Sequence, residues 1–102
     1  RSLMTAQSLN KIINSGEKYQ VIDTRAVSQY EAGHVETAKS IPLADLRDAS
    51  KDLDKDIVTI TYCNKGVTGN AAQNTLINMG FKNVYSLSGG YKQYSKINKK
   101  DK

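Results

Sequence analysis

Apolar and polar positions fall in short blocks whose period changes along the chain. Leu9, Ile12 and Ile13 recur at helical spacing. Thr5 ahead of them suits a helix N-cap, and Ser15-Gly16 suits the helix end, where glycine takes a left-handed conformation at little cost. Tyr19-Gln20-Val21-Ile22 then reads as a short strand ending at Asp23. A helix is expected over residues 26–32, stopping at Gly33. Ser40-Ile41 reads as extended, because the residue before Pro42 avoids the helical region. A further helix is expected within residues 43–50. The clearest strand is Ile57-Val58-Thr59-Ile60-Thr61-Tyr62, which is almost wholly β-branched, as suits a buried central strand. A glycine-containing loop follows from Cys63 to Gly69. The next helix is expected over residues 70–79, with Ala71, Ala72, Thr75, Leu76 and Met79 on one side and Gly80 at its end. Val84-Tyr85-Ser86-Leu87 is another strand, and Gly89-Gly90 opens a last helix carrying Tyr91 and Tyr94.

Strands alternating with helices predict βαβ units: a three-layer α/β fold, its mostly parallel sheet covered on both faces by helices. Ligands of such sheets bind beyond the carboxyl ends of the strands. Cys63 follows directly on such an end.

With 102 residues there is room for one domain and one modest core. Hydrophobic residues make up 38 % and charged residues 25 %, the balance of a globular rather than a disordered chain. No apolar run is long enough to span a bilayer, and no signal-peptide pattern opens the chain. Residues 1–4 read as an upstream remnant, 5–96 as a single domain and 97–102 as a basic tail. The net charge is +5, but residues 92–102 hold five lysines against one aspartate, so four of those charges sit at the C-terminus. A short Lys/Asn tail is the pattern of a solvated, frayed end. No aromatic residue follows Tyr94 to stack on bases. Neither nucleic acid nor a membrane is therefore expected as a partner. The single cysteine makes no internal disulfide and no Cys/His zinc site. A lone thiol suits a reducing compartment, so a cytoplasmic location is expected.

Cys63-Asn64-Lys65-Gly66-Val67-Thr68-Gly69 lies between a buried strand and a helix start. A helix N-terminus offers unpaired N–H groups and partial positive charge. A thiolate there is favoured, so the Cys63 pKa is expected below the free value of about 8.5. Gly66 and Gly69 allow the backbone to curl until several N–H groups point inward, forming a nest for an anion. Lys65 adds a cation and Thr68 a hydroxyl donor. These are parts for a sulfur nucleophile that attacks an anionic donor. A buried, inert cysteine is the commoner fate of a lone one, but a strand end before a glycine-rich helix start is poorly placed for that role.

The same residues resemble the active-site loop of the rhodanese-like family, a cysteine followed shortly by Gly-Val-Thr. Lys65-Gly66-Val67-Thr68 resembles the thiosulfate-type loop in particular. Asn64 stands where thiosulfate-type members often carry arginine, and Gly69 where alanine or serine is usual. Asp23-Thr24-Arg25, Tyr30, Gly33-His34-Val35, Ala38 and Ile41-Pro42 resemble the family's N-terminal signature. Gly80-Phe81, Val84, Leu87 and Gly89-Gly90 resemble its C-terminal one. Glu36-Thr37 replaces the usual Pro-Gly, and Tyr94 stands in for a usual tryptophan. The likeness covers roughly residues 5–95, in order and spacing.

The resemblance implies a five-stranded, mostly parallel sheet between helices and a sulfurtransferase that carries sulfur as a Cys63 persulfide. It implies that Asn64, Lys65, Gly66, Val67, Thr68 and Gly69 bind a small anionic donor such as thiosulfate. The acceptor would be cyanide, a thiol or a protein. It makes Asp23 and Arg25 a supporting brace, with a direct catalytic role for Arg25 as the lesser alternative, and His34 a structural residue, with no metal or organic cofactor. Three rivals carry less weight. A Cys-x5-Arg phosphatase or arsenate reductase needs an arginine to grip the oxyanion bidentately, and position 69 is glycine. A non-catalytic interaction domain of this family often lacks the cysteine. A persulfide carrier serving one protein partner would use the same Cys63 chemistry, and is the runner-up. The acidic run from Asp45 to Asp56 reads as a solvated face, and Tyr85, Tyr91 and Tyr94 as core or half-buried surface.

Overall fold

A computed structural model describes residues 2–64 and 69–98. Five strands form one sheet: β1 (Leu3–Met4), β2 (Tyr19–Asp23), β3 (Lys39–Ser40), β4 (Val58–Tyr62) and β5 (Val84–Leu87). Their order is β1-β5-β4-β2-β3, and every neighbouring pair runs parallel. The expected mostly parallel sheet is thus parallel throughout. Among the described residues five helices connect and cover it: α1 (Ala6–Ile13), α2 (Val27–Ala32), α3 (Leu46–Ala49), α4 (Gly69–Asn78) and α5 (Gly90–Ile97). Short 3-10 turns, Leu43–Asp45 and Ser50–Asp52, flank α3.

The alternation of side chains along a strand divides the core in two. Val21, Ile60, Tyr62 and Leu87 pack with Leu9 and Tyr94 beneath α1 and α5. Ile22 and Val84 pack with Leu46, Ala72, Leu76 and Phe81 beneath α3 and α4. Thr5 caps α1 as expected, its hydroxyl accepting from Ser8 N–H at 3.1 Å. On the same side, Asn10 donates to Asn98 at 3.0 Å and Tyr94 Oη donates to Asn10 at 3.1 Å, which ties the end of α5 to α1.

Two expectations need correction. The strand β1 lies within the segment expected to precede the domain. Leu3 and Met4 pair with Ser86 and Leu87, and Met4 joins the core, so the sheet extends to Leu3. On α4 the buried face is rotated. Ala72 and Leu76 are buried as expected, but Ala71 is exposed and Gln73 takes a buried place. The cause is hydrogen bonding, since Gln73 Nε2 donates to the carbonyls of Ser2 and Val84, both at 3.0 Å. Those two bonds to the backbone of separate segments offset part of the cost of burying the amide, and pattern reading counts it as polar.

Candidate functional site

The central strand β4 delivers the candidate site. Its β-branched residues fill the middle of the sheet, and Tyr62, its last residue, is fully buried. Cys63 follows at 7 % exposure, and Asn64 is exposed. The thiol thus stands where the chain leaves the core, at the carboxyl edge of a parallel sheet.

Beneath it lies a buried, charged network. Asp23 pairs in register with Tyr62 across β2 and β4. Its carboxylate accepts from Tyr62 Oη at 2.7 Å, from Arg25 N–H at 2.9 Å and from Arg25 Nη2 at 2.8 Å. Arg25 Nη2 also donates to the Gly33 carbonyl at 2.6 Å. The phenol oxygen of Tyr62 in turn accepts from Val35 N–H at 3.1 Å. Asp23 is wholly buried and Arg25 is 8 % exposed. Two charges so placed persist because each is paired and further hydrogen-bonded. Burial opposes the Arg25 charge, but the hydrogen bond and charge of Asp23 outweigh it and hold the guanidinium above its ordinary value. Burial also pushes the Tyr62 phenol far above its ordinary value; the Val35 N–H works against this, and Asp23 adds to it. Tyr62 therefore stays a neutral donor. Thr24 completes the brace, its N–H and hydroxyl donating to the Tyr62 carbonyl at 3.0 and 2.9 Å.

A second element reaches the same point from far along the sequence. At the start of α5, Tyr91 N–H donates to the Cys63 carbonyl at 2.8 Å, and Lys92 N–H donates to the Asn64 carbonyl at 3.0 Å. Gly90 makes this approach possible. A Cβ there would lie 2.6 Å from Cys63 O and 2.8 Å from Asn64 C and O, and its φ of +62° also favours glycine. The Tyr91 ring covers the Arg25 guanidinium, 4.5 Å from the ring centroid, and stacks beside Tyr62 and Tyr94.

Asp23 and Arg25 thus meet beside the carboxyl end of the strand that carries Cys63, and Asn64 continues from it. Gly69 is the first residue of α4. The expected anion-binding residues Lys65, Gly66, Val67 and Thr68 lie outside the described residues. His34 is exposed, stacks on Tyr30 at 3.8 Å and donates from Nδ1 to the Tyr30 carbonyl at 2.7 Å. Sequence reasoning missed the part Tyr62 plays beneath the site. It also assigned Tyr91 only a packing role; the double glycine before Tyr91 was the one signal that the backbone passes close to something there. Among the described residues, no cluster of three His, Cys, Asp or Glu side chains could hold a metal ion. No helix among them is long and apolar enough to cross a membrane.

Comparison with known proteins agrees with this architecture. A rhodanese-like domain profile matches residues 5–97. The YqhL protein of Bacillus subtilis is 34 % identical over 77 residues, which are 76 % of this chain and 61 % of YqhL. Thiosulfate sulfurtransferase GlpE of Coxiella burnetii is 32 % identical over 74 residues, 72 % of this chain and 69 % of GlpE. Among solved structures, the rhodanese-like domain of the Anabaena protein Alr3790 superposes with a TM-score of 0.87 at 28 % identity, covering 96 % of this chain and 76 % of that one.

Proposed function

Because this chain belongs to the rhodanese-like domain family, we propose that it is a sulfurtransferase whose sulfur carrier is Cys63. The observation that carries this reading is the position of the only thiol in the chain, at the carboxyl end of the central strand on a hydrogen-bonded brace. The kinship with thiosulfate sulfurtransferase GlpE supports it.

The reaction has two halves. The Cys63 thiolate attacks the outer sulfur of thiosulfate or a similar sulfane donor. A new S–S bond forms, the old sulfur–sulfur bond breaks, and sulfite leaves with its electron pair. The acceptor (cyanide, a thiol or a protein thiol) then attacks the outer sulfur of the persulfide and restores the thiolate. Asn64 to Gly69 hold the donor and the persulfide through their amides, with Lys65 drawing the anion in and Thr68 donating a hydroxyl. Asp23 and Arg25 act beneath, as the brace. The chemistry calls for no metal or organic cofactor, and the lone thiol fits a reducing, cytoplasmic setting.

Asn64, standing where thiosulfate-type loops often carry arginine, favours a second reading: a persulfide carrier for a dedicated protein partner. A thiosulfate:cyanide assay separates the two. Thiocyanate production that disappears in Cys63→Ser supports the enzyme. Persulfide loading without appreciable cyanide turnover supports the carrier. Undiminished turnover in Cys63→Ser would overturn both.

A further inference from the structure

We propose that the first turn of α5 is a clamp that orients the Cys63–Asn64 peptide for sulfur chemistry, with Tyr91 as its positioning residue. This inference rests on the sulfurtransferase reading. Tyr91 N–H and Lys92 N–H belong to the turn whose amides have no partner within the helix. Here they are spent on the carbonyls of Cys63 and Asn64, at 2.8 and 3.0 Å. No peptide bond among the described residues is cis. In a trans peptide the carbonyl and the following N–H point in opposite directions. Turning the Cys63 carbonyl toward α5 therefore turns Asn64 N–H away from it. That amide is the first one after the thiol, and the clamp leaves it directed to the side α5 does not occupy. An amide fixed in advance stabilises developing negative charge without reorganising.

The clamp needs its own anchor, and Tyr91 supplies it. Its ring lies over the Arg25 guanidinium, 4.5 Å from centroid to the guanidinium carbon. Its phenol end packs against Gly33, where a Cβ would meet Tyr91 Oη at 3.0 Å. Arg25 itself is held by Asp23 and by the Gly33 carbonyl. A chain of fixed contacts thus runs from the buried ion pair, through one aromatic ring, to the backbone of the reactive cysteine. Gly90, where no Cβ fits, lets the two backbones touch.

The test compares variants in pairs. Lys92→Pro and Lys92→Ala both remove an exposed side chain, but only proline removes the N–H, and proline is tolerated in the first turn of a helix. Tyr91→Leu removes the ring over Arg25, whereas Tyr91→Phe restores it. The readout is the single-turnover rate of sulfur loading onto Cys63 from saturating thiosulfate, with the concentration for half-maximal rate measured in parallel. Lys92→Pro should load about tenfold more slowly than Lys92→Ala, and Tyr91→Leu several-fold more slowly than Tyr91→Phe, at similar half-maximal concentrations. Should Lys92→Pro fail to fold, the Tyr91 pair decides alone. Equal rates within each pair, in a wild-type protein that does load sulfur, would overturn the clamp and leave the sulfurtransferase reading standing. No loading in the wild type would overturn both.

Discussion

The two ends of the sheet treat charge in opposite ways. At the carboxyl end, Asp23 and Arg25 are buried, joined at 2.8 Å, and enclosed by Tyr62 and Tyr91. At the amino end, Lys82 and Asp56 pair at 3.3 Å with both side chains largely in water. Near the starts of β2 and β4 an open cleft of about 420 Å³ is lined by Tyr19, Lys39, Asp52 and Asp54 among others. The ionic chemistry is similar, but its consequences differ. A solvated pair gains little, because water already serves both charges. A buried pair cannot be broken without stranding a charge away from water. The end that carries Cys63 is therefore the end where the protein spends stability on fixing geometry.

The largest effect should follow from breaking the buried pair. Arg25→Ala leaves Asp23 buried without its cation and is expected to cost about 3–5 kcal/mol, a large share of the roughly 5–15 kcal/mol that typically holds a domain together. Urea unfolding of the variant and wild type measures it. A loss below 1 kcal/mol would mean that water reaches Asp23 and that the contrast between the ends is false.

Next come the glycines. Gly16, after α1, has a φ of +85° but open space around a Cβ, so Gly16→Ala meets only backbone strain. Gly90→Ala meets comparable strain and also the Cys63 and Asn64 backbone. Overpacking of this kind adds about 1–3 kcal/mol, and thermal melts of the two variants should differ by that much. Equal losses would show that α5 can withdraw from Cys63 freely.

Alkaline titration sharpens the same contrast. The native Tyr62 phenol is held above its ordinary value, so the unfolded chain loses that proton first. Stability from this group is intact below pH of about 10 and falls above it by about 1.4 kcal/mol per pH unit. Tyr62→Phe should flatten that decline between pH 10 and 12, whatever it costs at neutral pH. An unchanged slope would mean that Tyr62 ionises as readily in the native state as in the unfolded one. The smallest effect belongs to the amino end, where Lys82→Ala should change stability by no more than about 0.5 kcal/mol. A larger loss would make the exposed pair part of the framework.

The same divide governs what could be read from the sequence. Strand and helix order were legible because β4 is a β-branched run and because glycines and Pro42 punctuate the elements. The position of Cys63 at a strand end followed from that order. Asp23 and Arg25 lie two residues apart and reach each other locally, so their pairing was within reach of motif reading. The contacts of Tyr91 and Lys92 with Cys63 and Asn64 were not, because they join segments far apart in the chain through backbone atoms that every residue carries. Gln73 was missed for a related reason: its partners are two carbonyls that only the folded sheet brings together. The strand β1 has too few residues to show a period.

Intact-protein mass spectrometry after incubation with thiosulfate tests whether Cys63 carries the sulfur. The wild type should gain one sulfur atom, cyanide should remove it, and Cys63→Ser should gain none. A wild type that never acquires the sulfur, or a Cys63→Ser protein that does, would contradict it.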